Sequence, residues 1–241
     1  MTRIIRIAFA VGASILAAGS LSAAPVDSAR LQAPVELTYT LHYGGLAVGR
    51  VIKTLKRATD GTYEHRSHSR PLGAAKMFTS VQWFEEGRFD ITQGRVRPLS
   101  FLEYRVGADK SHRHEARFDW KTQKIIYSRG GSVSLPPDTQ DQGTLLYAFM
   151  VHPPAAGGEQ ALHGSTGKKL RLYRYVHVGN ETIKTALGSL KTSVIESRST
   201  DPDNEGMRVW LATERGNLPV RITTRKRSEE TTLELESVTE R

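Results

Sequence analysis

The chain contains no cysteine, and this absence excludes several classes of protein. It can form no disulfide, has no thiol nucleophile and offers no thiolate ligand to zinc. It also lacks the cysteine that carries the acyl groups of a bacterial lipoprotein, so we expect no lipid anchor of that kind. Because no second long apolar run follows the N-terminal one, we expect a chain that does not span a membrane once that first segment is removed.

The first residues show the three regions of a secretory signal peptide. Arg3 and Arg6 supply positive charge, residues 7–16 form an uncharged apolar run, and the small residues 22–24 suit cleavage. The run is shorter than the roughly 20 residues that span a bilayer, which favours a cleaved signal over an N-terminal membrane anchor. We predict a signal peptide over 1–23, a flexible mature N-terminus over 24–34, one all-β domain over 35–241, and export to the periplasm of a Gram-negative bacterium.

The charge is basic, with a formal net charge of +9 for the whole chain. Removal of Arg3 and Arg6 would leave about +7. The Lys and Arg residues are spread along the sequence rather than clustered, and the predicted export argues against nucleic acid as a partner. Attraction to anionic lipid headgroups fits the predicted compartment, and the alternative is that the charge serves solubility alone.

Alternation of apolar and polar residues dominates the chain. Leu37, Tyr39 and Leu41 alternate with polar neighbours, which is typical of a half-buried strand. The same pattern recurs between turn signals and predicts about a dozen short antiparallel strands in a barrel, half-barrel or sandwich. It also places turns at Glu86-Gly87 and at Asn180, and a loop over residues 155–167.

One segment near the middle breaks this alternation. We predict a helix near residues 141–151, with the Asp141 carboxylate accepting free backbone N–H groups at its start and Pro153-Pro154 ending it. If the sheet curves, this apolar helix would fill its concave face and either complete the core or leave a groove for an acyl chain. The candidate ligand-lining residues are Leu145, Leu146, Phe149, Met150, Trp83, Trp120 and Trp210.

Four short patterns in this order resemble a known family. They are YTLHYGGLAVG at 39–49, FDW at 118–120, PPDTQD at 136–141 leading into LLY, and VWL at 209–211 preceding NLPVR. The chain resembles the exported bacterial family catalogued as domain of unknown function 3108, over nearly all of the mature region. The resemblance implies a fold similar to the curved antiparallel sheets of periplasmic lipoprotein-localisation carriers, in which a half-barrel wraps an apolar helix and can hold acyl chains. It supplies no catalytic residue.

Three patterns raise the question of a metal. His112 and His114 share one face of a strand and could chelate an ion, but no third ligand follows at short spacing, so we interpret them as half-buried strand histidines. His65 and His68, three apart on a predicted strand, would face opposite ways. Residues 201–206 resemble the start of a calcium loop, yet its twelfth position is Ala212 rather than glutamate. We therefore predict no metal and no cofactor.

Signals for catalysis are weak. The chain has no Gly-x-Ser-x-Gly motif for a serine nucleophile. Asp138 and Asp141 could form a carboxylate pair for glycosidic cleavage, but helix capping accounts for at least one of them. We predict a monomeric, non-enzymatic periplasmic protein that binds a lipid-like ligand or a lipoprotein. The alternatives are an envelope protein–protein interaction module and an envelope hydrolase acting on glycans.

Overall fold

The computed structural model describes residue 31 and residues 34–107, 112–166, 169–198, 206–226 and 229–240. The predicted signal peptide and most of the calcium-like loop lie outside these residues. Within the segment predicted as a flexible N-terminus, Leu31 is described and is only 2% exposed, because it packs in the main hydrophobic core.

Within the described residues, fifteen strands form a single curved sheet that does not close into a barrel. In chain order they are β1 Val35–Tyr43, β2 Leu46–Arg57, β3 Tyr63–Pro71, β4 Gln82–Thr92, β5 Arg95–Val106, β6 Arg113–Asp119, β7 Lys124–Tyr127, β8 Ser132–Ser134, β9 Thr139–Asp141, β10 Glu159–Thr166, β11 Lys169–Thr185, β12 Gly188–Arg198, β13 Gly206–Ala212, β14 Leu218–Lys226 and β15 Glu229–Glu240. The predicted mainly antiparallel, curved sheet with one helix is confirmed for the described residues.

The sheet consists of two meanders that are joined where β1 and β15, the first and last strands of the chain, pair with each other. Its order runs from β8 back to β1, then to β15 and back to β9. Neighbouring strands are antiparallel except β9 and β10, which are parallel. The curvature brings the β9–β10 edge close to the first half: Gln140 Nε2 donates to the Val96 carbonyl at 2.8 Å, and the hydroxyls of Tyr127 and Ser165 lie 3.0 Å apart.

Helix α1 spans Leu145–Val151 and fills the concave face of the sheet. Phe149 is fully buried, and its ring makes an edge contact with that of Tyr175, with centroids 5.0 Å apart. One residue further along the helix, Asn217 Nδ2 donates to the Met150 carbonyl at 3.2 Å. One core cluster joins the helix to both halves of the sheet, because strands of each half face it with alternate side chains.

The helix start differs slightly from the prediction. Asp141 belongs to strand β9, and α1 begins only at Leu145. The Thr144 N–H donates to Asp141 Oδ1 at 2.8 Å, while the Asp141 N–H donates to Thr144 Oγ1 at 3.0 Å. Asp141 thus accepts a backbone N–H ahead of the helix, as predicted, through a reciprocal pair in the connecting turn.

Three local predictions are wrong. Strand β4 runs straight through Glu86-Gly87, where we predicted a turn, because Gly87 provides space for a close approach rather than a bend. Strand β11 runs through Asn180, since a bulge between His177 and Gly179 absorbs the irregularity. The predicted loop over 155–167 contains β10, which is stabilised by pairing with strands on both sides despite its few apolar residues.

Candidate functional site

A cavity of about 360 Å³ lies between the β9–α1 connection and strands β10 to β14. Residues from both layers line it: Gln140, Asp141, Gln142, Leu145, Leu162, His163, Gly164, Ser165, Thr166, Tyr173, Tyr175, Ser197, Gly206, Met207, Thr224, Arg225 and Lys226. Its size falls within the range of roughly 300–1,000 Å³ that is typical of small-molecule sites.

The wall of the cavity is largely apolar. Leu145 comes from the first turn of α1, and Leu162, Tyr173, Tyr175 and Met207 come from the facing strands. Leu162 and Tyr175 are buried, whereas Leu145 and Met207 are partly exposed and so face the open volume. The sheet positions these side chains because alternate residues of each strand face the concave side.

The mouth of the cavity is basic. Arg225 and Lys226 end strand β14 at the rim, and both are exposed. Arg225 forms an ion pair with Glu230 at 3.0 Å, on a neighbouring strand, and both side chains are exposed. An exposed pair of this kind is weak and readily exchanges for another partner, so the rim can attract an anion.

Asp141 is the single acidic residue among those that line the cavity. It is 2% exposed, and its Oδ2 has no hydrogen-bond partner among the described residues. Burial raises the pKa of the Asp141 carboxyl, and the nearby charge of Glu85 adds to this, while hydrogen bonds from Thr144 oppose the shift; together they bring the pKa to about 7. The carboxyl can therefore present a proton or accept one at the inner end of the cavity.

A polar row crosses the inner face of the first half of the sheet. Direct cross-strand partners link Lys53, Ser67, Glu85, Glu103 and His114, one from each of β2 to β6. Lys53 lies 3.8 Å from Glu85. Sequence reasoning considered His114 but missed the other four members, because only the register brings residues of five strands together.

His65 lies beside this row, two residues before Ser67 on the same face of β3, and is deeper in the core. It is 2% exposed, and its Nε2 has no hydrogen-bond partner among the described residues. Burial, with a contribution from the charge of Lys53, lowers the pKa of His65 to about 3, so the ring is neutral. His68 faces the opposite side, as predicted, where its ring stacks on Phe84 with centroids 4.4 Å apart.

The structure does not gather the predicted ligand-lining residues into one cavity. Leu145 lines the cavity described above, whereas Phe149 and Met150 are buried in the core and Leu146 packs against it. The three tryptophans lie apart from the cavity. Trp83 is partly exposed beneath Arg105, Trp120 donates to the Pro98 carbonyl at 2.7 Å, and Trp210 donates to Glu181 at 2.9 Å.

The two aspartates that could have formed a catalytic pair are engaged separately. Asp138 forms an ion pair with Arg95, and Asp141 accepts from Thr144. A second concavity, of about 510 Å³, is lined by several charged residues: Lys56, Glu64, Arg66, Glu85 and Glu86. It has no comparable apolar wall, so the smaller cavity is the better candidate site for an apolar ligand.

Comparison with known proteins identifies the family. The family model for proteins of unknown function DUF3108 matches residues 38–235, and the chain belongs to that family. No curated protein matches the chain in sequence. Within the described part of the chain, no helix has the length and apolar character needed to cross a bilayer.

Solved structures are similar to the chain at low sequence identity. A beta-barrel-like DUF1849 protein from Brucella abortus is similar, with a TM-score of 0.55, 10% identity, and coverage of 87% of this chain and 98% of that one. An exported-protein candidate with a YmcC-like fold from Bacteroides fragilis has a TM-score of 0.36 and 10% identity, and covers 87% and 97% of the two chains. A lipoprotein candidate from Parabacteroides distasonis has a TM-score of 0.34 and 7% identity, covering 87% and 96%.

Proposed function

We propose that this member of the DUF3108 family is a periplasmic, non-enzymatic protein that binds an anionic amphipathic molecule with an acyl chain. The observation that carries the proposal is the cavity beside α1, which combines an apolar wall with a basic mouth. The signal-peptide pattern at the N-terminus supports the periplasmic location.

The apolar wall supplies the driving force for binding. Each methylene that leaves water for the surfaces of Leu145, Leu162 and Met207 contributes about 0.8 kcal/mol. Met207 lies at a partly exposed edge of the cavity, and its flexible thioether can adapt to chains of different shape. Micromolar affinity corresponds to about 8 kcal/mol, so about ten buried methylenes are needed for it, and more once the cost of immobilising the ligand is included.

The polar groups set the orientation of the ligand. Exposed Arg225 and Lys226 favour an anionic headgroup at the rim. Buried Asp141, whose raised pKa keeps it largely protonated below neutral pH, avoids placing a fixed negative charge beside the acyl chain. The headgroup is therefore expected at the mouth and the chain inside.

The lining favours binding over hydrolysis. Hydrolysis of glycosides usually requires two carboxyl groups on either side of the scissile bond. Asp141 alone fills that description among the residues lining this cavity, and its Oδ1 is held by the Thr144 N–H. A glycan hydrolase would need a second acid that this lining does not supply.

The test uses untagged protein purified from cells. Mass spectrometry of an organic extract should show a co-purified lipid-like molecule, and delipidated protein should bind a fluorescent fatty acid saturably. Met207→Trp should weaken that binding at least about tenfold, because the larger ring occupies the cavity. Leu172→Trp is the matched control, since Leu172 is 51% exposed on β11 and does not line the cavity.

Each outcome of these binding measurements either supports or overturns the proposal. Retained binding in Leu172→Trp with loss in Met207→Trp supports the proposed cavity. Absence of any co-purified lipid, together with failure of the delipidated protein to take up the fatty acid, overturns the function. Equal binding by wild type and both variants places the ligand elsewhere and overturns the assignment to this cavity.

A further inference from the structure

We propose that Glu103, His112 and His114 form a binding site for a divalent late first-row transition-metal ion, with Zn²⁺ as the probe. The three residues lie on the inner face of β5 and at the start of β6, and none of them lines the cavity beside α1. The inference is therefore independent of the proposed lipid binding.

The sheet register assembles the three donors. Glu103 on β5 is the direct cross-strand partner of His114 on β6, and His112 lies two residues before His114, on the same face. The carboxylate oxygen and the two imidazole nitrogens lie within 4.8 Å of one another. The third ligand that short-range spacing did not supply thus comes from the neighbouring strand.

The orientation of the groups suits a shared ion. His112 Nε2 already contacts Glu103 Oε1 through a hydrogen bond, and the two imidazole rings are nearly perpendicular, at 86°, with centroids 4.3 Å apart. In a tetrahedral site with metal–nitrogen bonds of 2.0–2.1 Å, donor atoms lie about 3.4 Å apart. To reach that value by rotation of the side chains, the hydrogen-bonded pair would have to open and the wider separations, up to 4.8 Å, would have to shorten, with the ion replacing the hydrogen-bond proton.

The local charge favours a cation. Glu103 is only 9% exposed, and its cross-strand partner on the other side is Glu85, so two carboxylates face each other. Lys53 lies near Glu85, at 3.8 Å. Arg105, next on the inner face of β5, is held over the Trp83 ring with its Cζ 3.5 Å from the centroid. A metal ion beside Glu103 would offset the negative charge that the second carboxylate, that of Glu85, adds to this pair.

The donor set indicates the class of metal. Two imidazoles and one carboxylate suit Zn²⁺, Cu²⁺, Ni²⁺ or Fe²⁺, whereas Mg²⁺ and Ca²⁺ prefer oxygen ligands throughout. Three protein ligands leave at least one coordination position for water or another molecule. Trp83 stands at the edge of the site, with its ring centroid 5.3 Å from that of His112, and gives it one aromatic wall.

Isothermal titration of untagged, EDTA-stripped protein with Zn²⁺ tests the site. We expect one ion per chain in the wild type, and at least about tenfold weaker binding in Glu103→Gln and in His114→Ala. Glu115→Gln and His152→Ala are matched controls, because they remove a carboxylate and an imidazole from exposed positions. Glu115 lies on β6, and His152 lies just beyond the end of α1. Circular dichroism confirms that each variant is folded, and His114→Gln replaces His114→Ala if the latter is not.

X-ray absorption of the zinc-loaded protein supplies the second measurement. Two imidazole nitrogens and a carboxylate oxygen around the ion, with binding lost in the cluster variants and kept in both controls, support the site. No saturable binding at micromolar Zn²⁺, or binding that is unchanged in folded Glu103→Gln and His114 variants, overturns it. Lipid uptake by the same variants should equal that of the wild type, which keeps this test separate from that of the cavity.

Discussion

The imidazole of His65 occupies the space that a side chain on Gly143 would need. A Cβ built on Gly143 would overlap the ring of His65, and one built on Gly87 would overlap the same ring and lie 2.6 Å from the Ser100 carbonyl oxygen. His65 is therefore packed between strand β4 and the turn that leads into α1. This contact joins the first half of the sheet to the helix.

Replacing Gly143 with alanine should destabilise the protein by about 1–3 kcal/mol. The added methyl cannot be accommodated without moving the buried His65 ring, which is 2% exposed. Urea denaturation measures the difference in the free energy of unfolding. Gly206→Ala is the control and should change stability by no more than about 0.5 kcal/mol, because a Cβ there meets nothing within 4 Å. Equal stability of Gly143→Ala and wild type would show that the ring moves freely.

The pH dependence of stability should reflect two buried groups with opposite signs. Asp141 has a pKa raised from 3.8 to about 7, so between these values the folded state binds more protons than the unfolded state, and stability falls as pH rises. His65 has a pKa lowered from 6.5 to about 3, so in that window the unfolded state binds more protons and stability rises with pH. Between about pH 4 and 6 the two contributions oppose each other.

Asp141→Asn should remove the fall of stability with rising pH and reveal the rise that His65 causes. We expect its free energy of unfolding to rise with pH more steeply than that of the wild type between about pH 4 and 6, by up to about 1.4 kcal/mol per pH unit. His65→Gln should show the reverse, with a free energy that falls relative to wild type over the same range. Denaturant titrations at several pH values measure both slopes, and parallel curves for wild type and the two variants would contradict the assignment.

Phe149→Ala should be among the most destabilising substitutions in the helix, by about 3–5 kcal/mol. The Phe149 ring is fully buried and contacts Tyr175 across the core, so truncation leaves a cavity between helix and sheet. The matched control is Phe78→Ala, since Phe78 is 86% exposed and its loss should cost no more than about 0.5 kcal/mol. Thermal and chemical denaturation compare the two, and similar losses for both would show that α1 does not fill the core.

Arg225→Glu should weaken binding of an anionic fatty-acid probe severalfold while leaving a neutral probe of equal chain length unaffected. The exposed guanidinium stands at the mouth of the cavity, and reversing its charge repels an anionic headgroup. Arg215→Glu is the control, because this exposed residue lies in the turn before β14, at the opposite end of that strand from the mouth. The difference should shrink at high salt, and equal loss for both probes would indicate damage to the wall rather than to the mouth.

Much of the secondary structure was predictable, and the errors have a common cause. Alternation identified strands such as β1 and β2, and helical spacing identified α1 to within a few residues. The errors lie where residues typical of turns and loops stand within strands, at Gly87, at Asn180 and in β10. Local sequence cannot distinguish a glycine needed for a bend from one needed because His65 approaches closely.

The candidate sites were much less predictable. Leu145 was identified from the apolar face of the helix, and the basic residues were expected to favour anionic headgroups. The other predicted lining residues were candidates only because they are large and apolar, which is equally true of any core residue, and Phe149 is one. Glu103 carried no signal, and His65 was considered only together with His68, since the partners of Glu103 and His65 lie on other strands.

The periodicity of the chain by itself determined that it folds into short antiparallel β-strands with one apolar helix, because alternation and helical spacing are local properties of consecutive residues. Only the tertiary structure decided which strands became neighbours and in which register. That choice placed Glu103 opposite His114 and brought Asp141 close enough to Glu85 for the Glu85 charge to raise the Asp141 pKa. It also placed Leu145 and Met207 in the wall of the same cavity. Such contacts depend on the path of the whole backbone, and a shift of one residue in register would turn each of these side chains to the other face of the sheet.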